Sequence, residues 1–260
     1  MNKKWGDDAF FIGWSPKIDL GLARFLATCA AGLLGFVFLA SFGLSAFMRD
    51  PAVVLFSTLP GASSVQTPEP WMDSPTLRGV VTMNPYPVVH VAPDADHPAG
   101  RSLLLSGDGK RGVDVPASLN PIEFEGARLL RGTIEMLVVD TPPKILSAAP
   151  STSAPTPIAL GRWRVVGEIC DGKCYAGAMR PGSGLAHRAC ANLCLIGDVP
   201  AVFVAATPAA GAEFFLLADA DGLKPNDALR AFTGQPVEIE GNIERLGAIH
   251  IFKVDRVRGL

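Results

Sequence analysis

Hydrophobic and polar positions follow three different rhythms along this chain. From Phe25 to Met48 there is no charge and no polar face: FLATCAAGLLGFVFLASFGLSAFM is apolar all round. About 20 apolar residues cross a bilayer as a helix, whereas a helix on the surface of a globular domain keeps a polar face. The run therefore predicts a transmembrane helix over 25–48. A cleavable signal peptide is the rival, but its apolar region is only about 7–15 residues long. Further on the rhythm changes to period two, in short runs bounded by Gly, Pro, Asn and Asp, which reads as β-strands and turns. Two stretches rich in Pro, Ser, Thr and Ala interrupt the strands: a stalk over 49–75 and a linker, TPPKILSAAPSTSAPTPI, over 141–158. The expected order is a cytoplasmic segment 1–24, the membrane helix, the stalk, a β-domain 76–140, the linker and a second β-domain 159–260.

Charge orients the chain. Lys3, Lys4, Lys17 and Arg24 precede the apolar run, and after Arg49 no basic residue appears before Arg78. The positive-inside rule then keeps the N-terminus in the cytoplasm, with Phe10, Phe11 and Trp14 suited to the interface. Everything beyond Arg49 is expected outside, in the periplasm of a Gram-negative cell, at the inner (plasma) membrane. A net charge of −2 gives no electrostatic footprint for nucleic acid. The 27 Gly and 22 Pro argue against a helical bundle.

The two β-segments repeat one another. IEFEGARLLRGTIEMLVVD (Ile122 to Asp140) and VEIEGNIERLGAIHIFKVD (Val237 to Asp255) match without a gap at seven of 19 positions, Gly126/Gly241 and Gly132/Gly247 among them. LLSGDG at Leu104 and LLADADG at Leu216 precede them in the same order, and LRGVVTMNPYPVVHV stands opposite WRVVGEICDGKCYAGAM. In the second segment the expected strands are Arg164–Cys170, Ala201–Ala205, Glu213–Ala218, Gln235–Ile243 and Ala248–Val257. Five strands of this kind favour closure, which removes sheet edges. The predicted fold is mainly β: one N-terminal transmembrane helix followed by two tandem OB-like β-barrels.

Chemistry concentrates in CDGKCYAGAMRPGSGLAHRACANLC, which holds Cys170, Cys174, His187, Cys190 and Cys194. Cys29 is the one other cysteine and lies in the apolar run. Residues 165–257 resemble a group of small secreted bacterial domains with OB-like folds and mostly uncharacterised function. The resemblance rests on Val165, Gly167, Ile169, Asp171 and Cys174, then His187, Cys190 and Cys194, then Phe232, Thr233, Gly234, Val237, Ile239 and Gly241. Cys170 departs from that pattern, in which the opening strand carries one thiol. The resemblance implies a fold and transfers almost no function.

LAHRACANLCLIG reads as a short helix stopped by Gly197. His187, Cys190 and Cys194 share one face of it. In an oxidising compartment disulfides are the default, so Cys190 and Cys194 are expected to reach Cys170 and Cys174 in two bonds. Connectivity stays open, and each bond would contribute about 2–4 kcal/mol. The same residues, Cys170, Cys174, His187, Cys190 and Cys194, form the alternative metal set, for zinc or for copper with Met179. Cys170-Asp-Gly-Lys-Cys174 resembles the C-x3-C of copper centres and copper-delivery proteins of cytochrome oxidase, yet Ala178 stands where their His is expected. Thiol exchange lacks its usual C-x-x-C, although Lys173 and Arg188 are near enough in sequence to favour a thiolate.

Other candidates are plain. His90 and His97 are isolated, and His250 alternates with Ile249 and Ile251 as a solvent-facing strand residue. Ser106-Gly-Asp-Gly-Lys-Arg-Gly112 lacks Walker spacing and reads as a hairpin turn. Asp219-Ala-Asp-Gly222 reads as a turn rather than a calcium loop. With no Ser/His/Asp set and no carboxylate pair standing out, no catalytic residue and no resident cofactor are expected. The functional expectation is a non-catalytic accessory or assembly subunit that docks on an integral membrane complex, of the respiratory or another redox kind. The alternative is a metal-handling (copper or zinc) or thiol-redox protein.

Overall fold

The computed structural model describes residues 20–47, 60–61, 69, 71–73, 76–147 and 153–260. The first 19 residues, most of the stalk and the middle of the expected linker lie outside these. The chain divides into two compact units, Met1–Arg49 and Asp50–Leu260.

The first unit contains one helix, α1 (Leu20–Phe47), five residues longer at its start than the apolar run predicts. Its stretch Leu20–Ser45 has a mean hydropathy of 2.1, and none of the window is buried. At 1.5 Å per residue it outreaches a hydrocarbon core of about 30 Å. Length and composition thus suit a membrane span, a profile that an anchor and a signal sequence share.

The second unit holds two β-sheets. The first contains β1 (Met72–Asp73), β2 (Leu77–Thr82), β3 (Val88–Val91), β4 (Arg101–Ser106), β5 (Ile122–Phe124), β6 (Gly126–Arg131), β7 (Ile134–Val139) and β8 (Lys144–Ile145). Their order is β1-β6-β7-β4-β3-β2-β5-β8, and β4 and β7 run parallel. The second contains β9 (Ile158–Asp171), β10 (Ala201–Ala209), β11 (Ala212–Asp219), β12 (Pro236–Leu246) and β13 (Ile249–Gly259). These close into a ring, β10-β11-β13-β12-β9, with β11 and β13 parallel. Between β9 and β10 come a π-type turn, Cys174–Ala178, and the helix α2 (Arg188–Ile196). A 3-10 helix, Asp227–Phe232, precedes β12.

The repeat is visible in this wiring. Each sheet has one parallel pair, β4 with β7 and β11 with β13, and β7 and β13 each pair antiparallel with the strand before them. The copies part at one aligned place. In β12 the register shifts between Glu240 and Gly241, and the strand bends but continues. In the first sheet the strand breaks outright at Glu125, into β5 paired with β2 and β6 paired with β7. That sheet is therefore a half-barrel, not the closed barrel expected, while the second closes as expected. Each aligned glycine is pressed on a backbone: a Cβ on Gly126 would run into the Val138 carbonyl, and one on Gly241 into that of Lys253.

Alternation explains how the two sheets pack. Val89, Leu103, Leu105, Leu137 and Val139 face the half-barrel's own core with Ile122 and Phe124. Residues of the opposite parity, Val88, Leu104, Met136 and Val138, join the core of the ring. Strands buried on both faces read as continuous apolar runs, hence LLL at Leu103–Leu105. Inside the ring Phe203, Phe215 and Phe252 meet with centroids 5.7–6.4 Å apart. The expected linker is partly in the sheets, since Lys144–Ile145 pairs with β5 and β9 begins at Ile158.

Candidate metal centre

Three segments deliver the site. β9 ends at Asp171, and the tight turn after it places Cys174. The turn before α2 holds His187, and α2 carries Cys190 and Cys194 one helical turn apart. Ligand atoms of Cys174, His187 and Cys190 lie within 4.8 Å of one another, as do those of Asp171, Cys174 and Cys194. The sulfurs of Cys174 and Cys194 are 3.9 Å apart. Cys174, Cys194, Asp171 and His187 are buried, and Cys190 is half-buried.

Asp171 organises this cluster without a sulfur of its own. Its Oδ1 accepts the Cys174 backbone N–H at 2.8 Å, and its Oδ2 lies 2.9 Å from His187 Nε2. With Nε2 held by the carboxylate, Nδ1 is the ring nitrogen left for another partner. A carboxylate that fixes a histidine tautomer in this way is a recurrent support of metal sites.

Two lysines complete the electrostatics. Lys110, from the Ser106–Gly112 loop of the half-barrel, places Nζ 2.6 Å from Cys190 Sγ and 4.0 Å from Cys194 Sγ. The contact raises the Lys110 pKa, chiefly through its hydrogen bond to Cys190. Lys173 is buried and donates to the carbonyls of Gly107 and Gly109 at 2.7 and 2.8 Å. Burial lowers its pKa. Cys174 and Cys194 share a sulfur–sulfur hydrogen bond in which either can donate, and this contact raises the Cys174 pKa and lowers that of Cys194.

The structure brings together four of the five expected ligands. Cys170 is the exception: it belongs to neither group, lies in the ring's core, and its thiol faces Glu168 Oε1 at 3.2 Å. Burial pushes its pKa well up, so it stays a neutral thiol. All five cysteines, including those expected in two disulfides, are free thiols. Met179 is 48% exposed.

Three readings change with the geometry. The glycine-rich loop is a turn, closed by Gly107 N–H to the Arg111 carbonyl, but it also lies on the cysteine site. Gly197 ends α2 with φ −85°, so left-handed freedom is not what it supplies; Asp198 takes the positive φ, at 71°. What Gly197 supplies is room: a Cβ there would collide with the Lys110 carbonyl, and its own carbonyl accepts from Gly112 N–H at 2.6 Å. His250 is half-buried, edge-on to Phe215 at 6.1 Å, rather than facing solvent.

Sequence reasoning missed Lys110, which sits 80 residues from Cys190. Asp171 stood in the quoted pattern without a role. No local signal marks Lys110 beyond a basic residue in a tight glycine turn. No protein-family model, curated protein or solved structure matches this chain.

Proposed function

We propose that this chain is a membrane-anchored, extracytoplasmic, non-catalytic module whose OB-like second barrel is held by a metal–thiolate centre on Cys174, His187, Cys190 and Cys194. The observation that carries it is the pair of ligand groups that share Cys174, one with His187 and Cys190 and one with Asp171 and Cys194, with Asp171 also fixing the imidazole from behind. Three thiolates and a histidine are a closed tetrahedral set for zinc, with no position left for substrate. Such a centre holds structure. Its charge also balances: three thiolates around a divalent ion leave one negative charge, and the Lys110 ammonium lies against it. Copper(I) accepts the same thiolates, but Met179, its expected thioether, is 48% exposed. α1 supplies the anchor at the inner membrane, with the N-terminus in the cytoplasm and the β-sheets on the outer side.

A module of this kind acts through what it touches. The role that follows is an accessory or assembly subunit docked on an integral membrane complex, of which a respiratory or other redox assembly is the expected kind. The test of the centre is elemental analysis of the full chain purified from membranes without oxygen or chelator. One zinc per chain, lost in Cys174→Ser and His187→Ala but kept in Cys170→Ser, supports the reading. Fully reduced thiols without zinc or copper would refute it. The docking role is read separately, by mild extraction of the native protein: recovery as a monomer without stoichiometric companions would end it.

A further inference from the structure

The extracytoplasmic cysteines fall into three chemical situations. Cys170 is buried against Glu168. Cys190 is half-buried, with the Lys110 ammonium on its sulfur. Only Cys174 and Cys194 face each other as a buried pair, sulfur to sulfur at 3.9 Å. A disulfide needs about 2.0 Å between sulfurs, so side-chain rotation and a small shift of the helix end would close this one. Cys190 and Cys194 sit four apart on one helix face, where side chains run side by side and pair poorly.

We infer that the site is a redox-modification site in which Cys174 and Cys194 form one reversible disulfide, Cys190 and Cys170 remain thiols, and the bond expels the metal. The expulsion rests on the metal reading above; the choice of pair does not. The oxidant is a low-molecular-weight disulfide of the glutathione class. One protein sulfur attacks it and displaces one small thiolate. The second protein sulfur attacks the mixed disulfide and displaces the other. Two protein thiols lose two electrons and two protons, and the reagent becomes two thiols. The metal leaves in its original oxidation state, because two of its four ligands are now bonded to each other.

The experiment uses the full chain in detergent, reduced, with and without added zinc. It is exposed to oxidised glutathione, alkylated and mapped by peptide mass spectrometry, with zinc content measured before and after. The expected result is a single Cys174–Cys194 cross-link, alkylated Cys170 and Cys190, reversal by dithiothreitol, and at least tenfold slower bond formation in zinc-loaded protein. Cys170→Ser and Cys190→Ser both retain the cross-link. A bond to Cys170 or Cys190, two bonds, or a lasting glutathione adduct on Cys174 or Cys194 would overturn the pairing. Zinc that stays bound after the bond forms would overturn the expulsion. Absence of zinc from the reduced protein, with the same cross-link present, would remove the metal reading and the expulsion while the pairing stands.

Discussion

Replacing Asp171 by Asn tests the centre without removing a ligand. The carboxylate is fully buried and has two acceptors in use, one on Cys174 N–H and one on His187 Nε2. An amide offers one acceptor and one NH2. If Asn keeps its oxygen on Cys174 N–H, its NH2 faces Nε2. That nitrogen must then accept, and the imidazole proton moves to Nδ1, the nitrogen needed for the metal. If the amide turns round, its NH2 meets the Cys174 N–H and two donors are left opposed. Either arrangement costs about 1–3 kcal/mol, which is about 5–150-fold in zinc affinity. The assay is competition against a chromogenic chelator with the full chain, Asp171→Asn and His187→Ala, beside the thermal midpoint of each metal-free form. Asp171→Asn should still bind one zinc, more weakly, whereas His187→Ala loses a ligand. An affinity within threefold of the parent, in a variant that folds, would refute the argument.

Three further outcomes follow from other parts of the structure. Lys110→Met keeps the side chain's bulk and removes the charge beside Cys190, so alkylation of Cys190 in metal-free protein should slow about three- to tenfold; an unchanged rate would mean the ammonium does not act on that sulfur. His90 is buried between Thr82 and Ser102, and burial lowers its pKa from 6.5 to about 4. The unfolded chain therefore takes up a proton that the folded chain refuses. The contribution is full above pH 6.5 and falls by up to about 3 kcal/mol as pH drops to 4; urea titrations should show that slope flattened in His90→Gln. Gly197→Ala should cost about 1–3 kcal/mol by forcing the Lys110 loop away, and should raise hydrogen exchange at Gly112, which donates to the Gly197 carbonyl.

Strands were legible wherever neighbouring residues decide the structure. The five expected in the second sheet all occur, each extended by partners that local pattern cannot reveal. β9 starts at Ile158 rather than Arg164 because Ala159 and Ile158 pair with Glu244 and Arg245 on the far half of β12. The half-barrel was not legible, because Glu125-Gly126 and Glu240-Gly241 look alike in sequence. One breaks its strand and the other only bends it. In the site, sequence proximity named Cys174, His187, Cys190 and Cys194, which the fold brings near one another, and with them Cys170, which the fold leaves in the ring's core. Three residues separate it from Cys174, yet it belongs to the strand and Cys174 to the turn that follows. Lys110 was beyond reach for the opposite reason: the fold alone connects it to the sulfurs.

The core that the two sheets share explains why this site lies at a seam. Had the first copy closed like the second, Val88, Leu104 and Met136 would still need a cover, and the ring provides it through a shared core. That packing carries the loop after β4 onto the end of α2. There Lys173 reaches out to Gly107 and Gly109, Lys110 reaches back to Cys190, and Gly112 meets Gly197. The two lysines do different work. Lys173 holds backbone carbonyls across the seam, which leaves Lys110 to face the sulfurs. An ion bound at the sulfurs would then favour the arrangement in which the loop is docked, and a docked loop would favour the ion. This is the reciprocity that linkage requires of anything that binds one arrangement better than another. The ring carries the cysteines, and the half-barrel supplies the charge that sits on them.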